Sequence, residues 1–410
     1  MPRRLPSVPE FCPLPTGFRA AGLHCGLKQD GAPDLGLLLA SEAVPAAALF
    51  TRNELLGAHV PVCREHLHAS GGLVRAVLVN SRNANCATGQ AGIEAAKQCC
   101  AELAQRLSCP TEQVLMVSTG VIGAALPTDR ILAHLDALLA GATTDGGMEF
   151  ARAIMTTDTH AKAAYREPDV TGFAKGSGMI HPNMATMLGF LLVQSEPGHA
   201  PTPRSLSRDL RQVADRSFHR VTVDGDTSPN DTLLLLATPS APAGAEDRDA
   251  LPSAQVDRLE QISRELAQQL AADGEGATRL VTIEVRGART EADAARVGRV
   301  IATSPLVKTA VAGRDPNWGR IVAAAGRAGV TFPAERCRVW VGETEVYADG
   351  VPRPDREAAA SQHLRENERV VLGIDLATGD GTAASGGEGA DVWTCDLTAD
   401  YVQINADYRT

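Results

Sequence analysis

The chain has 410 residues, 44% of them hydrophobic and 21% charged, and a formal net charge of −10. This composition excludes a disordered chain, allows a sizeable core in two or more lobes, and leaves apolar runs too short to span a membrane. With no strongly basic tract and only eight Phe, four Tyr and three Trp for base stacking, the acidic balance argues against nucleic acid and for small-molecule partners.

Near the start, Arg3 and Arg4 are followed by Pro6 and Pro9 rather than by an apolar run. Neither a Sec nor a twin-arginine signal is complete, so a cytoplasmic protein is expected. Strand-like and helix-like segments then alternate without an internal period, which predicts an α/β fold of layered mixed sheets with flanking helices. Early strands are expected at Leu37 to Ala40, Ala76 to Asn80 and Val114 to Val117, and helical spacing of apolar residues predicts a helix from Gln90 to Leu107. A second helix starts after Thr128 and Asp129, and Asp145, before a glycine pair, is placed to cap a third through Met155. The apolar run Met187 to Val193 reads as a buried strand, Ser205 to Ser217 as a helix, Val221 to Val223 as a strand and Thr238 to Asp249 as a surface loop. A helix from Ala254 to Ala272 follows. Val281, Ile283 and Val285 then alternate with Thr282, Glu284 and Arg286 as in a strand with one wet face, and a helix begins near Glu291. Strands near Cys337 to Val341 and Val370 to Asp375 precede a glycine-rich loop from Gly379 to Gly389 and a terminal strand-like segment.

The stretch KGSGMIHPNMATML, Lys175 to Leu188, carries the most chemistry. Gly176 and Gly178 permit unusual backbone angles, Pro182 biases His181 away from the helical region, and Thr186 stands at the head of the apolar run. A hydroxyl so placed can attack the carbonyl of Ala185, converting the amide to an ester that water hydrolyses. Thr186 would then carry a free α-amino group titrating near ~8, a general base beside its own hydroxyl. An ordinary strand after a tight turn fits the same residues.

Ser118, Thr119, Gly120, Val121, Ile122 and Gly123 follow a predicted strand, which suits either an oxyanion hole or a plain glycine turn. Gly274, Glu275 and Gly276 place a carboxylate between two glycines, where a ligand amine has room to approach, although an acid among glycines also ends many helices. In VDGDTSPNDT, Asp224, Asp226 and Asp231 lack the EF-hand Gly and Glu, so an Asx-type turn is favoured over calcium. GRDPNWGR, Gly313 to Arg320, suits an anion site or a locked loop, the second being favoured. Nine scattered cysteines without a C-x-x-C pair, and ten histidines without ligand spacing, predict buried thiols in a reducing compartment and no structural metal.

Together, KGSGMIHPNMATML, STGVIG, IMTTDT, VDGDTSPNDT, DGEGATRL, GRDPNWGR and VQINADYRT resemble, over nearly the whole chain, the ornithine acetyltransferase family of arginine biosynthesis, also called glutamate N-acetyltransferase. The resemblance implies a precursor that cleaves itself between Ala185 and Thr186, giving chains 1–185 and 186–410 that stay associated, commonly as an α2β2 heterotetramer. It implies Thr186 as the nucleophile that takes acetyl from N2-acetylornithine and passes it to glutamate. Thr119 and Gly120 match the family's oxyanion-hole pair, and Lys175, Glu275, Asn405, Thr410 and one of Thr156 and Thr157 match its substrate contacts. No cofactor is implied, although acetyl-CoA is a possible second acetyl donor to Thr186. Two positions depart from the expected pattern: Arg82 stands where glycine is expected, and Pro229 where a small polar residue is commoner. An N-terminal-nucleophile amidohydrolase or aminopeptidase of similar architecture, with water as acceptor, is the rival of a different class.

Overall fold

The computed structural model describes residues 9–181, 187–239, 249–378 and 387–407. They form two compact units, one made of 9–219 and 226–266 and the other of 220–225 and 267–407.

The larger unit is built on strands β1 (Phe18–Leu23), β2 (Leu35–Phe50), β3 (Leu73–Asn80), β4 (Val114–Ser118), β5 (Lys162–Arg166), β6 (Val170–Lys175), β7 (Leu188–Gln194) and β8 (Thr232–Thr238). Their order is β4-β3-β2-β8-β7-β6-β5, with β1 also paired to β2. The pairs β3/β4 and β7/β8 are parallel and the others antiparallel. The 16-residue β2 serves both halves of this sheet: its first part pairs with β3, a register irregularity falls between Leu39 and Val44, and Ala46–Phe50 pairs with β8. Such an irregularity bends a strand and increases its twist.

Among the described residues, this part of the chain has seven helices: α1 (His59–Ala69), α2 (Gly89–Leu107), α3 (Thr128–Ala133), α4 (Leu135–Ala140), α5 (Gly147–Ala153), α6 (Pro203–Asp215) and α7 (Ser253–Ala272), the last crossing the boundary at 266/267. Two cores follow from the period of two in β2. Leu35, Leu37 and Leu39 pack with Cys99, Cys100 and Leu103 of α2 and with Leu78 and Met116. Leu38, Ala40 and Val44 join the other core with Phe150, Phe173, Phe190, Leu192 and Leu234. There Phe150 meets Phe173 and Phe190 edge-on, at centroid distances of 5.5 and 5.2 Å. Each fully buried Leu or Phe contributes about 2 kcal/mol to holding the layers together.

The smaller unit has strands β9 (Leu280–Ala288), β10 (Arg338–Val341), β11 (Thr344–Ala348), β12 (Val351–Pro352), β13 (Arg369–Asp375) and β14 (Glu388–Cys395), in the order β12-β11-β10-β13-β9-β14. Among the described residues, only β9 and β13 are parallel neighbours within it. Its helices are α8 (Glu291–Ala302), α9 (Pro305–Ala312), α10 (Trp318–Gly326), α11 (Glu357–Glu366) and α12 (Ala399–Asp407). Val281, Ile283 and Val285 of β9 bury one face against Ala294, Val297 and Ile301 of α8, as their alternation predicts.

Three expectations change. Asp145 does not cap α5; Gly146 occupies that position and supplies no side-chain cap. Residues 221–223 form a single bridge, Val221 to Trp393, rather than a strand. The strand-like segment after the loop is present as β14 but stops at Cys395, and the helix α12, which was not expected, follows it. Most of the expected loops at 238–249 and 379–389 lie outside the described residues.

Candidate active site

The chain leaves β4 at Ser118 and turns at Thr119 and Gly120. Thr119 N–H donates to the Asn80 carbonyl at 3.0 Å, and Val121 N–H to the Arg82 carbonyl at 3.1 Å, so the turn lies against the end of β3. Gly120 has φ +134°, and a Cβ there would lie 2.1 Å from the Arg82 carbonyl carbon. Only glycine fits. Arg82 itself has φ +72°, which gives the physical reason why glycine is expected at its position. Asn230 Nδ2 adds a clamp, donating to the carbonyls of Ala84 at 2.5 Å and Ser118 at 2.8 Å. The Pro229 carbonyl accepts from Gly57 N–H at 2.9 Å.

Lys175, the last residue of β6, donates from Nζ to Thr119 Oγ1 at 3.2 Å, and both residues are 8% exposed. Sequence reading gave these two residues separate roles; the fold brings them together. A hydroxyl that accepts from an ammonium keeps its own proton free to donate, and the adjacent charge strengthens that donation. The Thr119 hydroxyl is therefore a polarised donor beside the Gly120 turn.

Lys175 is paired in register with Leu188 across β6 and β7. Thr186 precedes Leu188 by two residues in the sequence. Ala185 and Thr186 lie outside the described residues, as does Thr410.

A second charged centre, not foreseen from sequence, adjoins Lys175. The Asp158 side chain is fully buried and pairs with buried Lys162 at 2.6 Å. Burial alone would raise its pKa, but the charges of Lys162 and Lys175 and the hydrogen bonds from Lys162 and Thr156 hold the carboxyl well below its ordinary range. Lys28 lies within the fields of Asp34, Asp158 and Lys175, and burial lowers its pKa. The available signal was Asp158 inside the IMTTDT motif with Lys162 four residues on. Thr156 turns its N–H and hydroxyl to Asp158, at 2.8 and 3.4 Å, while Thr157 is half-buried beside it.

In the smaller unit, Glu275 and Asn405 meet: Asn405 Nδ2 donates to Glu275 Oε2 at 2.9 Å and to the Tyr401 carbonyl at 3.0 Å. Gly276 makes this approach possible, since a Cβ there would lie 2.5 Å from the Tyr401 amide nitrogen. The GRDPNWGR turn follows the locked-loop reading. Asn317 caps α10 by accepting from Arg320 N–H at 3.1 Å and donates to Asp315 at 2.9 Å. The cysteines carry no disulfide, and burial pushes the thiols of Cys12, Cys63, Cys99 and Cys337 up to about 12, which makes them inert.

Fold and site define a two-unit α/β protein with a lysine-polarised hydroxyl at its strand ends. The family model described as ArgJ family matches residues 19–410, and the chain belongs to that family. The arginine biosynthesis bifunctional protein ArgJ of Parasynechococcus marenigrum is 43% identical over 404 residues, covering 97% of this chain and 94% of the relative. Its counterpart from Prochlorococcus marinus is 44% identical over 415 residues, covering 97% and 92%. A solved structure of ornithine acetyltransferase complexed with ornithine, from Mycobacterium tuberculosis, is 36% identical, covering 44% of this chain and 99% of that chain with a TM-score of 0.40.

Proposed function

We propose that this protein is an acyltransferase of arginine biosynthesis that moves the acetyl group of N2-acetyl-L-ornithine to L-glutamate. Family membership over 19–410 supports the class of reaction, and the Lys175-to-Thr119 hydrogen bond is the observation that carries the chemistry. The chain first cleaves itself between Ala185 and Thr186, which frees the Thr186 amine to act as base for its own hydroxyl. Thr186 Oγ attacks the acetyl carbonyl while Thr119 and Gly120 hold the oxyanion, and the amide C–N bond then breaks to release ornithine. Glutamate's amine attacks the acetyl-Thr186 ester in turn, giving N-acetylglutamate and restoring the hydroxyl. The Glu275 carboxylate, which accepts from Asn405, matches a cationic side chain such as that of ornithine, and Lys175 with one of Thr156 and Thr157 matches a substrate carboxylate. The reaction needs no metal or cofactor.

The two pieces stay together as a cytoplasmic α2β2 tetramer. A specific observation favours a second donor: the relatives covering 97% of this chain are named bifunctional. Acetyl-CoA is that donor in this reading, loading Thr186 directly. The test follows ornithine release from N2-acetylornithine with and without glutamate, and N-acetylglutamate formation from acetyl-CoA. Release that requires glutamate supports transfer; equal release without it identifies a hydrolase, and acetyl-CoA turnover decides the second donor.

A further inference from the structure

Both oxygens of one buried carboxylate are saturated by the segments that bear the site. Asp158 Oδ1 accepts from Lys162 Nζ at 2.6 Å and from Gly176 N–H at 2.7 Å. Oδ2 accepts from Thr156 N–H at 2.8 Å and Thr156 Oγ1 at 3.4 Å. The donors come from three places in the chain: the turn after α5, the first residue of β5, and the glycine immediately after Lys175 at the end of β6. Gly176 has φ +147°, a backbone region that other residues rarely adopt, and the hydrogen bond fixes its peptide where the chain departs toward Thr186.

We infer that Asp158 is a positioning residue for acetyl transfer and for chain cleavage, its carboxylate holding Thr156 and the Lys175–Gly176 peptide in one fixed arrangement. The inference rests on the functional reading above and assigns Asp158 a part that the site motifs leave open. A carboxylate suits the task because it accepts at both oxygens, whereas an amide accepts at one and presents donors at the other. With asparagine, either the Thr156 or the Gly176 N–H faces another donor, and one segment must move. A shift of about 1 Å in a catalytic array costs on the order of 100-fold in rate.

Removing Asp158 alone strands a buried lysine, so the informative protein is Asp158→Asn with Lys162→Gln, which keeps the buried pair neutral and hydrogen-bonded. This double variant is expected to melt near the wild type while cleavage rate and kcat both fall about 100-fold. The fall in kcat should exceed any rise in KM by about tenfold or more, so that lost positioning outweighs the binding contributed by Thr156 and Lys175. Amide exchange at Thr156 or Gly176 should rise roughly tenfold or more. Wild-type exchange at both amides with kcat within about threefold of wild type would overturn the inference, and so would faster exchange with unchanged rates. In the unaltered protein both amides must be protected from exchange, because each is bonded to a buried carboxylate; unprotected amides there overturn the inference even if the variant does not fold. A wild-type chain that neither cleaves nor transfers acetyl would remove the functional reading, and exchange would still decide the anchoring.

Discussion

Lys175 and Thr119 condition each other before a substrate arrives. The ammonium donates to a lone pair of the hydroxyl at 3.2 Å and leaves the hydroxyl proton free to donate, so the two can act as one donor unit. Thr119→Val and Lys175→Met should each lower kcat by about 100-fold, the usual cost of an oxyanion donor. The double variant should be little worse than either single one, because the second change removes a partner that no longer functions. Multiplying losses would show that the residues act independently. Sequence reading found both positions but not their union: they are separated by 56 residues, and β4 and β6 are not neighbours in the sheet. The bent β2 joins the two halves of that sheet, a tertiary feature that local periodicity does not encode.

Among the elements, those with a strong local signal were legible. Helix α2 shows its apolar spacing, and β9 shows clean alternation, because each has one wet face. Strand β8 was missed because its seven residues are all buried and its leucine run carries no alternation to read. Helix α12 was missed for a related reason: none of its described side chains is buried, and Val402 is 66% exposed, so it has no apolar stripe. The low burial separates stability from function in this helix. Deleting residues 399–410 should cost less than about 1 kcal/mol in a denaturant melt, since little apolar surface is returned to water. The KM for N2-acetylornithine should nevertheless rise tenfold or more, on the order expected when a charged group loses its hydrogen-bonding support. A truncated protein with an unchanged KM would detach α12 from substrate recognition.

At the scale of the whole molecule, the large sheet draws on both sides of the proposed cleavage point. Strands β1 to β6 precede it and β7 and β8 follow, with β6 hydrogen-bonded to β7 and β2 to β8. The proposed cut between residues 185 and 186 would leave these ladders intact and so would not by itself separate the pieces. The same sheet sets an acid limit on stability. His59 is fully buried, contacts Thr232 of β8 at 3.1 Å, and burial lowers its pKa from 6.5 to about 4. Its folded value lies below its unfolded one, so its contribution is fully present above pH 6.5 and is lost as pH falls toward 4, when the unfolded chain takes up the proton first. Between pH 7 and 4.5 that amounts to about 2.5 kcal/mol, and urea melts of a His59→Gln variant should lack this part of the acid loss. An identical pH slope in both proteins would exclude His59 as its source.

The central claim is that acetyl is carried on a threonine created by the chain's own cleavage. Intact-mass spectrometry under denaturing conditions, after brief mixing with N2-acetylornithine in the absence of glutamate, tests it most directly. From 43.0 kDa the account predicts fragments of roughly 19 and 24 kDa, the larger beginning at Thr186. It also predicts that this larger fragment alone gains the mass of one acetyl group and loses it when glutamate is added. A single uncut mass, or fragments that turn over substrate without an acetylated species containing Thr186, would contradict it.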